Sequence, residues 1–140
     1  MVEDVTRSVA FYLDVLGFSF VWGVAEGSRE PVPGWPASGP LSMALVQNGQ
    51  ATLSFQTRTF MASTLPRLAN TKIGGSFLLF MDCDDLDALC ARIGELGPFL
   101  KAPHVNTHGS RQCSIEDPDG YILTFAQRTL APTPTPETAP

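Results

Sequence analysis

Basic residues are scarce in this chain. Nine Lys and Arg stand against fourteen Asp and Glu, a formal charge of -5. That balance disfavours the phosphate backbone of a nucleic acid as partner and mildly favours cationic or neutral ligands. Histidine is scarcer still, with only His104 and His108. They stand four apart, but Pro103 and Gly109 place them in a loop or strand edge, so a helical metal pair is not indicated. Nor does a nearby base stand ready to activate Ser54 or Thr124 as a nucleophile. The three cysteines, Cys83, Cys90 and Cys113, are odd in number and lack CxxC spacing. A disulfide framework and a zinc knuckle are therefore not indicated, and reduced, mostly buried thiols are expected. No apolar run approaches the roughly 18 residues that cross a bilayer, and no basic segment leads into an apolar secretory stretch. The expectation is a globular, cytoplasmic protein with neither membrane nor nucleic acid as partner.

What is present is a 44% apolar content over 140 residues, enough for one core or two small modules sharing one. The last stretch, APTPTPETAP from Ala131, is rich in Pro and Thr and reads as an extended or disordered tail over 129–140. Two segments carry the apolar spacing of amphipathic helices. Val9, Tyr12, Leu13 and Leu16 form one stripe, with Asp4 or Thr6 as cap and Gly17 as stop. Leu86, Leu89, Cys90, Ile93 and Leu96 form the other, with Asp84 or Asp85 as cap and Gly97 as stop. A shift of 80 positions superposes Asp4 on Asp84 and Leu16-Gly17 on Leu96-Gly97.

Strands are expected at FSFVWGVA from Phe18, LSMALVQ from Leu41 and ATLSFQT from Ala51, and again near 99–102, 111–115 and 121–127. Here a shift of 70 places Leu53-Ser54-Phe55 on Leu123-Thr124-Phe125, each after a turn, Asn48-Gly49 or Asp119-Gly120. The Pro- and Gly-rich loop from Glu26 to Pro40 absorbs the difference between the shifts. Two copies of a strand, a helix and three strands result: module one over about 1–57, a linker over about 58–74, and module two over about 75–128. A strand over about 76–83 precedes the second helix, whereas only Met1 to Glu3 precede the first cap. Either the first strand is short, or Met1 is an internal methionine with the first strand encoded upstream, and the second is the preferred expectation.

The segments EDVTRSVAFYLDVLGF from Glu3, DDLDALCARIGELG from Asp84 and EDPDGYILTFAQ from Glu116 resemble the vicinal oxygen chelate superfamily. That superfamily includes glyoxalase I, extradiol dioxygenases, fosfomycin resistance enzymes and bleomycin resistance proteins. The resemblance implies an α+β domain over 1–128, in which two βαβββ modules form a curved mixed sheet around a pocket, usually in a homodimer. Its enzymes hold a divalent metal through His, Gln or Glu, where open coordination sites polarise substrate oxygens. Carried onto this chain, the Glu position four residues after the turn glycine is Thr124, and its repeat partner is Ser54. The His or Gln position is Leu78, with Ser76 and Phe80 two residues to either side, and the fourth position lies upstream of Met1.

None of these residues suits a divalent cation, so no metal ligand, cofactor or catalytic residue is assigned. The implied function is metal-independent binding of a small organic molecule, cationic or aromatic, as in drug sequestration of the bleomycin resistance type. Trp22, Trp35, Ser54, Gln56, Leu78, Phe80 and Thr124 are the expected ligand-binding residues, with Trp35 in the loop PVPGWPASGP stacking on flat heterocycles. Phe60 and Met61 in the linker suit the same part. Two other readings stay open: a metal-dependent lyase, isomerase, dioxygenase or thiol transferase, kept by Gln56, Glu116 and the unread strand, and a dimerisation module with a vestigial pocket. The acidic runs Glu116, Asp117, Asp119 and Asp82, Asp84, Asp85, Asp87 read as turn formation and helix capping.

Overall fold

Two of the helices start where a carboxylate takes over an orphan backbone donor. In α1 (Val5–Asp14) the Asp4 side chain accepts from the N–H of Arg7 at 3.1 Å. In α3 (Leu86–Gly94) Asp85 accepts from the N–H of Ala88, also at 3.1 Å. Such caps satisfy one of the donors that a helix start leaves free. A computed structural model describes residues 1–75, 77–94 and 99–128. Ser76, Leu96, Gly97 and the 129–140 tail of the sequence reading lie outside the described residues.

The strands are β1 (Ser19–Ala25), β2 (Pro31–Val32), β3 (Leu41–Asn48), β4 (Ala51–Gln56), β5 (Leu78–Asp82), β6 (Lys101–Val105), β7 (Ser110–Glu116) and β8 (Ile122–Arg128). They form two four-stranded sheets, ordered β2-β1-β3-β4 and β5-β8-β7-β6. The architecture is the expected mixed α+β one. Two details depart from the sequence reading. The loop from Glu26 to Pro40 contributes the short β2, and the linker is not featureless: it holds α2 (Arg58–Thr64), capped by Thr57, and a 3₁₀ turn at Pro66–Leu68.

The chain divides into two compact units, Met1–Leu78 with Glu116–Ile122, and Leu79–Ile115 with the chain from Leu123 onward. In the first unit Val5, Val9 and Tyr12 of α1 are buried over β3 and β4. The Tyr12 ring lies 4.7 Å from that of Phe55 and 5.5 Å from that of Phe18, centroid to centroid. In the second unit Leu86 and Ile93 of α3 are buried, as are Cys113, Ile115, Leu123 and Phe125 on the strands.

The repeat is visible in the hydrogen bonds, one position away from the helix shift read in the sequence. The caps Asp4 and Asp85, and the bonds Ser8 N to Asp4 O and Leu89 N to Asp85 O, correspond at a shift of 81. Val2 N to Gln56 O matches Cys83 N to Ala126 O, both 2.9 Å, with the strand ends offset by 70 as expected. Gly49 and Gly120 close the equivalent hairpins at φ 60° and 86°, a backbone region that side chains disfavour. In the second sheet β5 flanks β8, whereas among the described residues β4 ends its sheet beyond β3 and pairs further only through Val2.

Candidate ligand-binding faces

The face of the first sheet turned from α1 follows from the register. Ala44 pairs with Phe55 and Val46 with Leu53, and the buried Ala44, Val46 and Phe55 serve the core under α1. Alternation then puts Met43, Leu45, Ser54 and Gln56 on the other face. Leu45 pairs with both Trp22 and Ser54, so Trp22, Leu45 and Ser54 form one row across β1, β3 and β4. Gln56 stands two pairs along, opposite Met43, and donates from Nε2 to Ser54 Oγ at 3.0 Å. Trp22 is 37% exposed, which leaves an aromatic surface in the same row as the Ser54 hydroxyl, with Leu45 between them.

The equivalent hairpin of the second unit is closed tighter. Thr124 is 4% exposed, and its Oγ1 shares a 2.8 Å hydrogen bond with Ser114 Oγ on β7. Ser114 was missed by the sequence reading, although a hairpin looping through Pro118-Asp119-Gly120, with Asp117 N bonded to Tyr121 O, is enough to set it opposite Thr124. On β5, alternation puts Leu78 and Phe80 on one strand face, 50% and 60% exposed. Trp35 has a different setting: its ring lies 5.7 Å from that of Phe20, so the loop indole already has an aromatic partner within its own unit. His104 sits on β6 with Nδ1 2.8 Å from Ala102 O, and His108 lies in the turn that follows; no helix joins them.

The turn EDPDG carries the strongest polar constellation in the first unit. The buried Asp117 accepts from Tyr12 Oη at 2.9 Å through Oδ2, and from the N–H groups of Asp119 and Tyr121 through Oδ1. Asp119 accepts from Glu3 N and Arg7 Nη2 through Oδ1 and from Ser8 Oγ through Oδ2. Tyr121 donates from its hydroxyl to Met1 O at 2.6 Å. Burial pushes the Asp117 carboxyl above its ordinary value, opposed by the hydrogen bonds it accepts. Burial likewise pushes the Tyr12 phenol up, reinforced by Asp117, so it stays a neutral donor. Turn formation was the sequence reading of these acids; clamping α1 is the larger role.

A cavity of about 660 Å³ opens in the first unit between the β1–β2 turn and α2, lined in part by Glu26, Arg29, Ser42, Thr57, Phe60 and Ser63. Phe60 alone of the aromatic residues anticipated near a ligand reaches it. Its hydroxyls are mostly bonded locally, Ser42 to Val24 O and Ser63 to Phe60 O, while Thr57 Oγ1 accepts from Phe60 N. Glu26 and Arg29 are exposed.

Residues 1–125 match the model of the Glyoxalase/Bleomycin resistance protein/Dioxygenase superfamily, and the chain belongs to that superfamily. Among solved structures it is similar to a glyoxalase-related enzyme from Fulvimarina pelagi, with TM-score 0.68 and 20% identity over 94% of this chain and 85% of that one. It is also similar to TnmS3, an antibiotic binding protein from Streptomyces sp. CB03234, with TM-score 0.60 and 24% identity over 91% and 89%. A family enzyme from Burkholderia phytofirmans PsJN gives TM-score 0.65 and 23% identity over 90% and 91%. At such identities the likeness speaks for the fold alone. No curated protein matches the chain.

The fold's metal chemistry can be tested against the donors present. Thr124 is buried and bonded to Ser114, Ser54 is bonded to Gln56, and Leu78 has no donor atom. Among the described residues no group of three His, Cys, Asp or Glu could hold a metal ion. This donor set does not fit a divalent cation. Among the described residues, too, no helix is long and apolar enough to cross a membrane.

Proposed function

We propose that this member of the superfamily binds a small organic molecule without a metal, sequestering it as a cytoplasmic homodimer. One observation carries the reading: hydroxyls stand at both positions where the family resemblance puts a metal-binding carboxylate, Ser54 and Thr124, and each is engaged by a neighbour, Gln56 or Ser114. Hydroxyls and a carboxamide orient a neutral or cationic guest through hydrogen bonds, and Trp22 offers a face on which an aromatic ring stacks. The charge of -5 favours a positively charged heterocycle. The antibiotic binding neighbour lends this ligand class support at the level of the fold.

The test is a tryptophan-fluorescence titration with a panel of planar cationic drugs, in chelator and in zinc, nickel, manganese or iron. The expected result is saturable quenching that is the same in chelator and is weakened about tenfold or more by Trp22→Ala, an aromatic contact worth about 1.4 kcal/mol or more. Binding or turnover that appears only with a tightly held metal would establish the enzyme reading instead. A chain that binds nothing in the panel, yet is dimeric by light scattering, would support the vestigial-pocket reading.

A further inference from the structure

Two of the three thiols come together in the second unit. Cys90 on α3 and Cys113 on β7 bring their sulfurs within 3.9 Å. Cys113 is fully buried, and Cys90 is half-buried. Cys83, on the connection from β5 to α3, is also half-buried. It lines a cavity of about 260 Å³ together with Asp82, Asp84, Ala126 and Gln127. Two anchors fix the geometry: Cys83 N donates to Ala126 O at 2.9 Å, and Arg111 on β7 pairs with Asp87 on α3 at 2.8 Å. The expectation that the thiols are mostly buried holds for Cys113 alone.

We propose that Cys90 and Cys113 are a latent disulfide pair, oxidised by a low-molecular-weight disulfide that meets the half-buried Cys90 first. The sulfurs must close from 3.9 Å to a bond of about 2.05 Å between two elements already packed together. The Cys90 thiolate attacks one sulfur of the small disulfide, forming a mixed disulfide and expelling one small thiolate, which takes up the proton Cys90 gave. Cys113 then attacks the Cys90 sulfur, releasing the second small thiol with the Cys113 proton. In balance, two protein thiols lose two electrons and two protons, and one small disulfide becomes two small thiols. At rest the pair is slow to close, since burial pushes the Cys113 thiol up to about 12, and the thiolate is the nucleophile.

The test uses the reduced full chain, folded by near-UV circular dichroism, exposed anaerobically to oxidised glutathione at mildly alkaline pH and quenched with an alkylating agent. Peptide mapping is expected to show Cys90 linked to Cys113, the loss of two hydrogens, and Cys83 free to alkylate. Cys83→Ser is expected to close at the wild-type rate, and Cys113→Val, which keeps the buried volume filled, to stop the sequence at a mixed disulfide on Cys90. A Cys83 that carries glutathione while Cys90 and Cys113 both remain alkylatable after unfolding overturns the pair. Loss of closure in a folded Cys83→Ser variant overturns direct entry at Cys90.

Discussion

The two units hold equivalent helices in different ways. At the shift of 81, Val5 of α1 matches Leu86 of α3 and Tyr12 matches Ile93, and all four are buried. Around these anchors the chemistry diverges. The first helix turns the hydroxyls of Ser8 and Tyr12 onto the carboxylates of the EDPDG turn, whereas the second sets Cys90 against Cys113. The hairpin hydroxyls diverge too, since Thr124 has Ser114 opposite it where Ser54 has Leu45. A capping carboxylate and two apolar anchors per helix are thus enough to retain the repeat. The other positions can be reassigned to a polar clamp, a thiol pair or a ligand face.

The largest effect expected from breaking this comparison is at Tyr12. Tyr12→Ala removes a buried ring and leaves Asp117 without its side-chain donor, a loss of about 3–5 kcal/mol in chemical denaturation. Amide exchange should rise first in α1, and equal loosening of α3 would mean that the clamp is not local to the first unit. Next in size is the hydroxyl pair. Thr124→Val leaves the Ser114 hydroxyl without its partner and should cost about 1–2 kcal/mol, while Ser54→Val on an exposed position should stay within about 0.5 kcal/mol. Similar losses at both positions would contradict the asymmetry.

The caps supply the converse test. Asp4→Ala and Asp85→Ala should each destabilise by about 1 kcal/mol, matched to a few tenths if the repeat holds at the helix starts. The smallest expected effect is in pH dependence. Burial raises the folded-state carboxyl of Asp117, so the folded chain keeps its proton to higher pH than the unfolded chain does. The contribution to stability is full below the ordinary carboxylate value and falls as pH rises through the raised one. Asp117→Asn keeps a turn acceptor and should flatten that decline, checked by melting temperature against pH.

Helix stripes, strand segments and glycine turns were legible because each is written in local period or turn chemistry. The helix shift came out one position short because Leu16-Gly17 and Leu96-Gly97 match at 80, while the caps, Asp4 and Asp85, match at 81. The short α2 carries no full apolar period, so nothing in its spacing set it apart from a loop. In the candidate site, residue types at Thr124 and Ser54 could be read, but not that one is enclosed and the other open. Trp35 stood out as a loop indole without a reason, and the reason is Phe20, fifteen positions earlier on β1. Cys90 and Cys113 lie on a helix and a strand 23 positions apart, and no spacing rule pairs them.

The clamp on α1 also sets an order of events during synthesis. Tyr12 meets Asp117 across 105 positions and Ser8 meets Asp119 across 111, so the first helix leaves the ribosome long before its partners do. Until the EDPDG turn emerges, the nascent first unit has a hydroxyl in its core and nothing to accept from it, a cost that favours keeping that core open. The N-terminal half therefore becomes complete only when translation has nearly reached the last strand. A chain halted before Asp117 should be cut by protease within α1, even though every residue of that helix is already made.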